Sequence, residues 1–236
     1  MYKRHNEIET PDKACTIWRY LSLEKFLSLI NDRQLYFARQ DQFFDIYEAE
    51  LSSLDIGLFE RYIPDITKEM GKEKLGCGFI NSWVISDVEL YLMWAAYSSM
   101  DKGIAIKTTV GDLIDSLEKS DNRRITISDV NYIDYTIEDT FGKANGNANL
   151  LARYFCKRSY FQQEKELRLV YYDYKATLDD KTVGLKFNVS LDTLINEIWI
   201  SPLAKEWYED LIIKELKLHN INKPVKKSKL LQRQLI

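Results

Sequence analysis

Glu164, Glu166 and Arg168 alternate in the run Glu164-Lys165-Glu166-Leu167-Arg168. In a strand, residues i and i+2 point to one face, so both carboxylates would line one site with the guanidinium third on that face. Such a set can stabilise a developing positive charge or move a proton, and the arginine can clamp an anion or neutralise the pair. The same residues also fit an exposed strand face with an ordinary ion pair. A second acidic group, Asp45 and Glu48, follows the aromatic loop 41–45 (DQFFD). These two fit either substrate contacts or a helix-start pair favoured by the dipole, with Glu48 in or starting a helix. Arg19 stands in a first short aromatic segment, and Ser82 and Trp83 end an apolar run.

The elements that position these residues follow from periodicity. Residues 16–20 (TIWRY) are β-branched and aromatic and predict a strand. Ser22 is a candidate N-cap for a helix through Leu23, Phe26, Leu27 and Ile30, and a strand at 35–38 follows. Residues 50–75 carry helical spacing interrupted at Pro64, and 76–84 form a buried strand. A helix over 87–98 sets Leu90, Met93, Trp94 and Tyr97 on one face. These fit the core, or the wall of a pocket to which Trp94 would contribute its indole N–H. Further strands are expected at 103–108, 130–135, 166–172, 184–188 and 197–200, with helices at 110–117, 150–160 and 207–218. The 150–160 helix would carry Lys157 and Arg158. Gly142, Gly146 and three asparagines mark 138–149 as a loop or lid. Strands and helices mix without regular βαβ spacing, which predicts an α+β fold with a mixed or antiparallel sheet and packed helices. The expected organisation is an arm over 1–15, a single domain over 16–222 and a basic tail over 223–236.

Composition narrows the function. At 236 residues, 45% hydrophobic and 29% charged, the chain can bury a sizeable core. A net charge of −3 gives no global attraction to phosphate backbones. Lys226, Lys227, Lys229 and Arg233 in the tail fit a nucleic-acid contact or, more simply, a frayed solvated end. Cys15, Cys77 and Cys156 are widely spaced, and His5 and His219 are the only histidines, so no zinc-ligand spacing exists. Reduced thiols, no apolar leader and no membrane-length apolar run predict a cytoplasmic protein without a membrane partner.

Six blocks then fall in order: Trp18-Arg19-Tyr20, Phe44-Asp45-Ile46-Tyr47-Glu48, Asn81-Ser82-Trp83, Met93-Trp94-Ala95-Ala96-Tyr97, Lys102-Gly103 and Glu164-Lys165-Glu166-Leu167-Arg168. In this the chain resembles the bacterial domain-of-unknown-function family 2971, over roughly residues 16–216. The departure is Phe44-Asp45-Ile46 in place of the family's usual Asn-Asp-Pro, which removes the asparagine from the turn. The order Arg19, Ser82, Glu164-Lys165-Glu166 also resembles the Arg-Ser-Glu class of ADP-ribosyltransferases. That resemblance implies NAD as a nucleotide substrate, with no metal. Arg19 would hold the pyrophosphate, Ser82 would support the ribose, and Tyr20, Tyr36, Trp83 and Trp94 would line or stack on the cofactor. Glu166 would stabilise an oxocarbenium-like centre, Glu164 would assist acceptor deprotonation, and Arg168 would order Glu166. Asp45, Glu48 and Lys102 would face the acceptor, a protein or nucleic acid. A toxin or anti-phage defence effector, with a partner or antitoxin protein, is the biological setting such a protein implies. The alternatives are a non-catalytic nucleotide- or partner-sensing module and a metal-dependent nuclease built on Asp41, Asp45, Glu48, Glu164, Glu166 and a lysine.

Overall fold

The computed structural model describes residues 2–62, 76–119, 121–144 and 149–231. The second half of the 50–75 helical stretch, the centre of the 138–149 loop and the end of the basic tail, with Arg233, lie outside the described residues. In chain order the strands are β1 (Thr16–Leu21), β2 (Gln34–Arg39), β3 (Cys77–Ile85), β4 (Ile104–Thr109), β5 (Ile125–Asp129), β6 (Asn131–Ile133), β7 (Cys156–Arg158), β8 (Glu166–Asp173), β9 (Gly184–Asn188), β10 (Glu197–Ile200) and β11 (Val225–Lys227). The helices are α1 (Leu23–Asp32), α2 (Ser53–Tyr62), α3 (Tyr91–Tyr97), α4 (Val110–Ser116), α5 (Leu191–Leu194) and α6 (Glu206–Leu218). The chain is α+β with mixed strand pairing and packed helices, the class its sequence predicts. No helix among the described residues is long and apolar enough to cross a membrane. The chain divides into two compact units, 1–10 with 36–82 and 120–186, and 11–35 with 83–119 and 187–236.

The second unit holds all five tryptophans, Trp18, Trp83, Trp94, Trp199 and Trp207. In it β1 runs antiparallel to β4 from Thr16↔Thr109 to Leu21↔Ile104, β4 antiparallel to β10, and β10 parallel to β11. The β-branched and aromatic residues of β1 bury Ile17, Trp18, Tyr20 and Leu21. Helix α1 buries Phe26, Leu29 and Ile30 and stops where Arg33 turns left-handed at φ 52°. Helix α3 is shorter than its 87–98 pattern predicts. Ser86 folds back on Val88, and the Leu90 amide donates to the Tyr20 hydroxyl at 2.8 Å instead of a helical carbonyl. Met93 and Trp94 pack with Trp18, Tyr20, Val84 and Ala105, whereas Tyr97 is 43% exposed rather than core.

In the first unit β5 pairs antiparallel with β8, from Ile125↔Tyr171 to Asp129↔Leu167. Residues 2–10 of the arm are tacked onto β5. The Lys3 amide donates to Ile125, Thr10 Oγ1 to the Ile127 carbonyl and Ser128 Oγ to the Glu9 carbonyl, and Ile8 is fully buried. Gly78 on β3 sits under the Tyr154 ring, where a Cβ would come within 2.2 Å of the ring carbons.

The helix expected over 150–160 does not form. Ala152–Phe155 is a buried 3-10 turn, Cys156–Arg158 is β7 paired parallel with β6, and Ser159–Glu164 is a second 3-10 turn. Tight turns satisfy the backbone while burying Tyr154 and Phe155, and a continuous helix would not deliver residues 156–158 to β6. The strand expected over 130–135 is limited to β6.

Candidate active site

Lys165 adopts a left-handed conformation (φ 45°) between the second 3-10 turn and β8. Glu164 is therefore the last residue of a helical turn and not, as the strand reading expects, on β8 with Glu166. The sharp reversal at Lys165 still brings both carboxylates onto one cation. Lys157 Nζ, on β7, lies 2.5 Å from Glu164 Oε2, 2.6 Å from Glu166 Oε1 and 3.1 Å from Glu48 Oε1. Arg168, fully buried two residues along β8, donates from Nε to Glu166 Oε2 and from Nη2 to Glu48 Oε2, each at 2.8 Å. Its Nη1 donates to the Tyr154 carbonyl at 3.0 Å, and the Glu166 amide donates to the Tyr132 hydroxyl at 2.9 Å.

Glu48 does not start a helix. It lies in a turn over 46–49 in which Ala49 is left-handed (φ 63°), which points the carboxylate at Arg168 and Lys157. Asp45 opens this turn by accepting from the Tyr47 amide at 3.1 Å. It is buried and holds Arg158 in a two-bond fork, Nη2 to Oδ1 at 2.8 Å and Nε to Oδ2 at 3.0 Å. Arg158 in turn lies over the rings of Tyr47, Phe161 and Tyr160.

The electrostatics follow from this geometry. Burial alone would raise the Glu166 carboxyl, but Arg168 and then Lys157 outweigh it and hold Glu166 well below the usual carboxylate range. A hydrogen bond with the Glu164 carboxyl acts in the same direction. Burial would lower both cations, and the facing Glu166 and Glu48 raise them instead, so Lys157 and Arg168 stay charged. Burial pushes Tyr132 up to about 12, so its hydroxyl stays protonated. Among the described residues, no group of three or more His, Cys, Asp or Glu is placed to hold a metal ion. The centre of the three glutamates is taken by the Lys157 ammonium.

The remaining sequence-predicted residues fall as follows. Arg19 on β1 lies over the Trp83 ring at 5.7 Å, and enclosure of its guanidinium lowers it to about 10 while part of the side chain reaches the surface. Tyr20 is buried, edge-on to Trp94 with ring centres 5.0 Å apart. Trp94 is fully buried, and its Nε1 donates to Glu89 at 2.9 Å, so it is a core residue with no surface for a ligand. Lys102 is exposed, with its carbonyl accepting from the Tyr208 hydroxyl at 2.6 Å. These four and Trp83 belong to the tryptophan-bearing unit. Tyr36, 46% exposed with its hydroxyl toward the Val183 carbonyl, and Ser82 on β3 belong to the unit that holds Glu166. The structure thus brings together Glu48, Glu164, Glu166 and Arg168 and, separately, Arg19 with Trp83 and Tyr20 with Trp94. Lys157, the hub of the acidic cluster, is a residue that the sequence pattern does not single out, because its stretch reads as an ordinary helix.

Comparison with known proteins adds the following. The family model described as Protein of unknown function (DUF2971) matches residues 93–169. The resemblance read from the motifs therefore stands over that stretch, which contains the Met93-Trp94, Lys102-Gly103 and Glu164-to-Arg168 blocks. No curated protein matches the chain. Among solved structures the chain is similar to DarT of Thermus sp. 2.9 in complex with NAD+, at 11% identity and a TM-score of 0.42, covering 94% of this chain and 98% of that one. The same DarT in complex with ADP-ribosylated ssDNA is similar at 9% identity and a TM-score of 0.43, again over 94% and 98% of the two chains.

Proposed function

We propose that this chain is an NAD-using, ADP-ribosyltransferase-like enzyme in which Glu166 is the catalytic carboxylate. The observation that carries the reading is the Glu164–Glu166 pair, gathered on the Lys157 ammonium, with Glu166 held also by Arg168. A carboxylate held ionised at neutral pH is suited to stabilising positive charge as the bond between ribose C1′ and the nicotinamide nitrogen breaks. The bonding pair leaves with nicotinamide, the acceptor's nucleophilic atom bonds to C1′, and its proton passes to the carboxyl pair or to water. Arg168 is a positioning residue that fixes Glu166. Within the unit that holds Glu166, Ser82 is the proposed ribose support and Tyr36 the aromatic lining. A toxin or defence effector acting on protein or nucleic acid is the corresponding biological role. The second reading is a non-catalytic nucleotide- or partner-sensing module. It is favoured by the fact that both oxygens of Glu166 already face cations of this chain.

Calorimetric titration with NAD beside a nicotinamide-release assay, on the parent and on Glu166→Gln, separates the two. Binding with release that the variant loses supports the enzyme, binding without release supports the sensor, and absence of binding at millimolar NAD overturns the enzyme.

A further inference from the structure

A second constellation lies at the far end of β8 and uses none of the residues above. Val170 and Tyr172, with Thr126 of β5 and Leu151, line a cavity of about 480 Å³ whose rim is His5, Glu7, Arg124 and Asn149, all within the first unit. The volume lies in the range that encloses a small ligand.

The rim's hydrogen bonding is incomplete in a directional way. His5 Nδ1 accepts from the Glu7 amide at 3.1 Å, so a neutral imidazole carries its proton on Nε2. The Asn149 side chain is fixed at both ends, its Oδ1 accepting from the Leu151 amide at 3.0 Å and its Nδ2 donating to Glu7 Oε2 at 2.7 Å. His5 Nε2 and Asn149 Nδ2 therefore meet at 3.5 Å as two donors, with no bond between them. Arg124 adds more donors. Among the described residues it has no carboxylate partner, its guanidinium reaching only the Arg4 carbonyl at 3.4 Å. Burial and then Arg124 lower the His5 imidazole, while Glu7 raises it, which leaves the ring neutral near pH 7. Glu7 is the one carboxylate of the lining, and its Oε2 is already taken by Asn149.

Unmatched N–H groups on His5 Nε2 and Arg124, with the second N–H of Asn149 Nδ2, lie beside an apolar wall with the partly buried Tyr172 ring. They call for a ligand with an anionic acceptor at one end and a flat ring at the other. We propose that this cavity binds a mononucleotide-like organic phosphate, with the phosphate on His5, Asn149 and Arg124 and the ring against Tyr172 and Leu151. The inference stands apart from the NAD reading, because it shares no residue with it.

Histidine NMR on the full chain tests it directly, since His5 and His219 are the only two imidazoles and His219 belongs to the other unit. AMP is expected to shift the His5 resonances, to raise the His5 pKa and to leave His219 unmoved. Adenosine and inorganic phosphate each carry half of the recognition and should bind about tenfold or more weaker. Arg124 is exposed, so Arg124→Gln keeps the fold, and it should weaken AMP about tenfold. Glu166→Gln should bind AMP as the parent does, whatever its effect on NAD. The proposal is overturned if millimolar AMP leaves His5 unmoved, if His219 shifts alongside it, if inorganic phosphate binds as tightly as AMP, or if Arg124→Gln changes nothing.

Discussion

Arg168 in one unit and Trp94 in the other are both fully buried, yet they are held by opposite means. Arg168 sits among Glu166, Glu48 and backbone carbonyls, with each polar contact compensating its desolvation. Trp94 sits against Tyr20, Trp18 and Met93, with its indole N–H donating to Glu89. An aromatic core loses stability in proportion to the volume removed. A buried ionic cluster loses it when one partner goes and the opposite charge is stranded, and replacement of the whole set by apolar groups can be neutral. The ionic region is thus sensitive to protonation and to single substitutions, while the aromatic region is sensitive mainly to shape.

The largest effect that sharpens this contrast is expected from Arg168→Met, which leaves Glu48 and Glu166 without their shared guanidinium. The loss should be about 3–5 kcal/mol in urea unfolding followed by far-UV circular dichroism. A loss under about 1 kcal/mol would mean that water already solvates the cluster. Trp94→Ala should follow at about 3–4 kcal/mol by the same measurement, and its acid dependence should match that of the parent.

Acid comes next. Glu166 is depressed below its ordinary value of 4.5, so its contribution is fully present above that pH and is lost as pH falls toward the folded-state value. Melting measured from pH 6 to pH 3 should show a loss of about 2 kcal/mol from this group, reduced in Arg168→Met. An acid profile identical in the two proteins would break the link between the arginine and the carboxylate. The smallest effect is Tyr20→Phe, which removes the hydroxyl that accepts from the Leu90 amide. About 1 kcal/mol is expected, without pH dependence below pH 8.

Much of the frame was legible in the sequence, because β-branched and aromatic runs such as 16–20 leave few alternatives to a strand. The Leu90–Met93–Trp94 face likewise reads as core from its spacing. The cluster was legible in its carboxylates and in Arg168, and not in Lys157. Residues Leu150, Leu151, Tyr154 and Phe155 recur as a helix face would, and nothing in that spacing announces two 3-10 turns with a strand between them. Both misplaced glutamates sit beside a left-handed residue that is neither glycine nor asparagine, Lys165 after Glu164 and Ala49 after Glu48. Such conformations are imposed by tertiary contacts, so residue type gives no warning of them.

The confinement of all five indoles to one unit has a spectroscopic consequence. Selective indole excitation reports on Trp18, Trp83, Trp94, Trp199 and Trp207 alone, and the unit that carries Lys157, Glu166 and Arg168 contributes no indole emission. An indole introduced at exposed Tyr160 would give that unit a signal of its own.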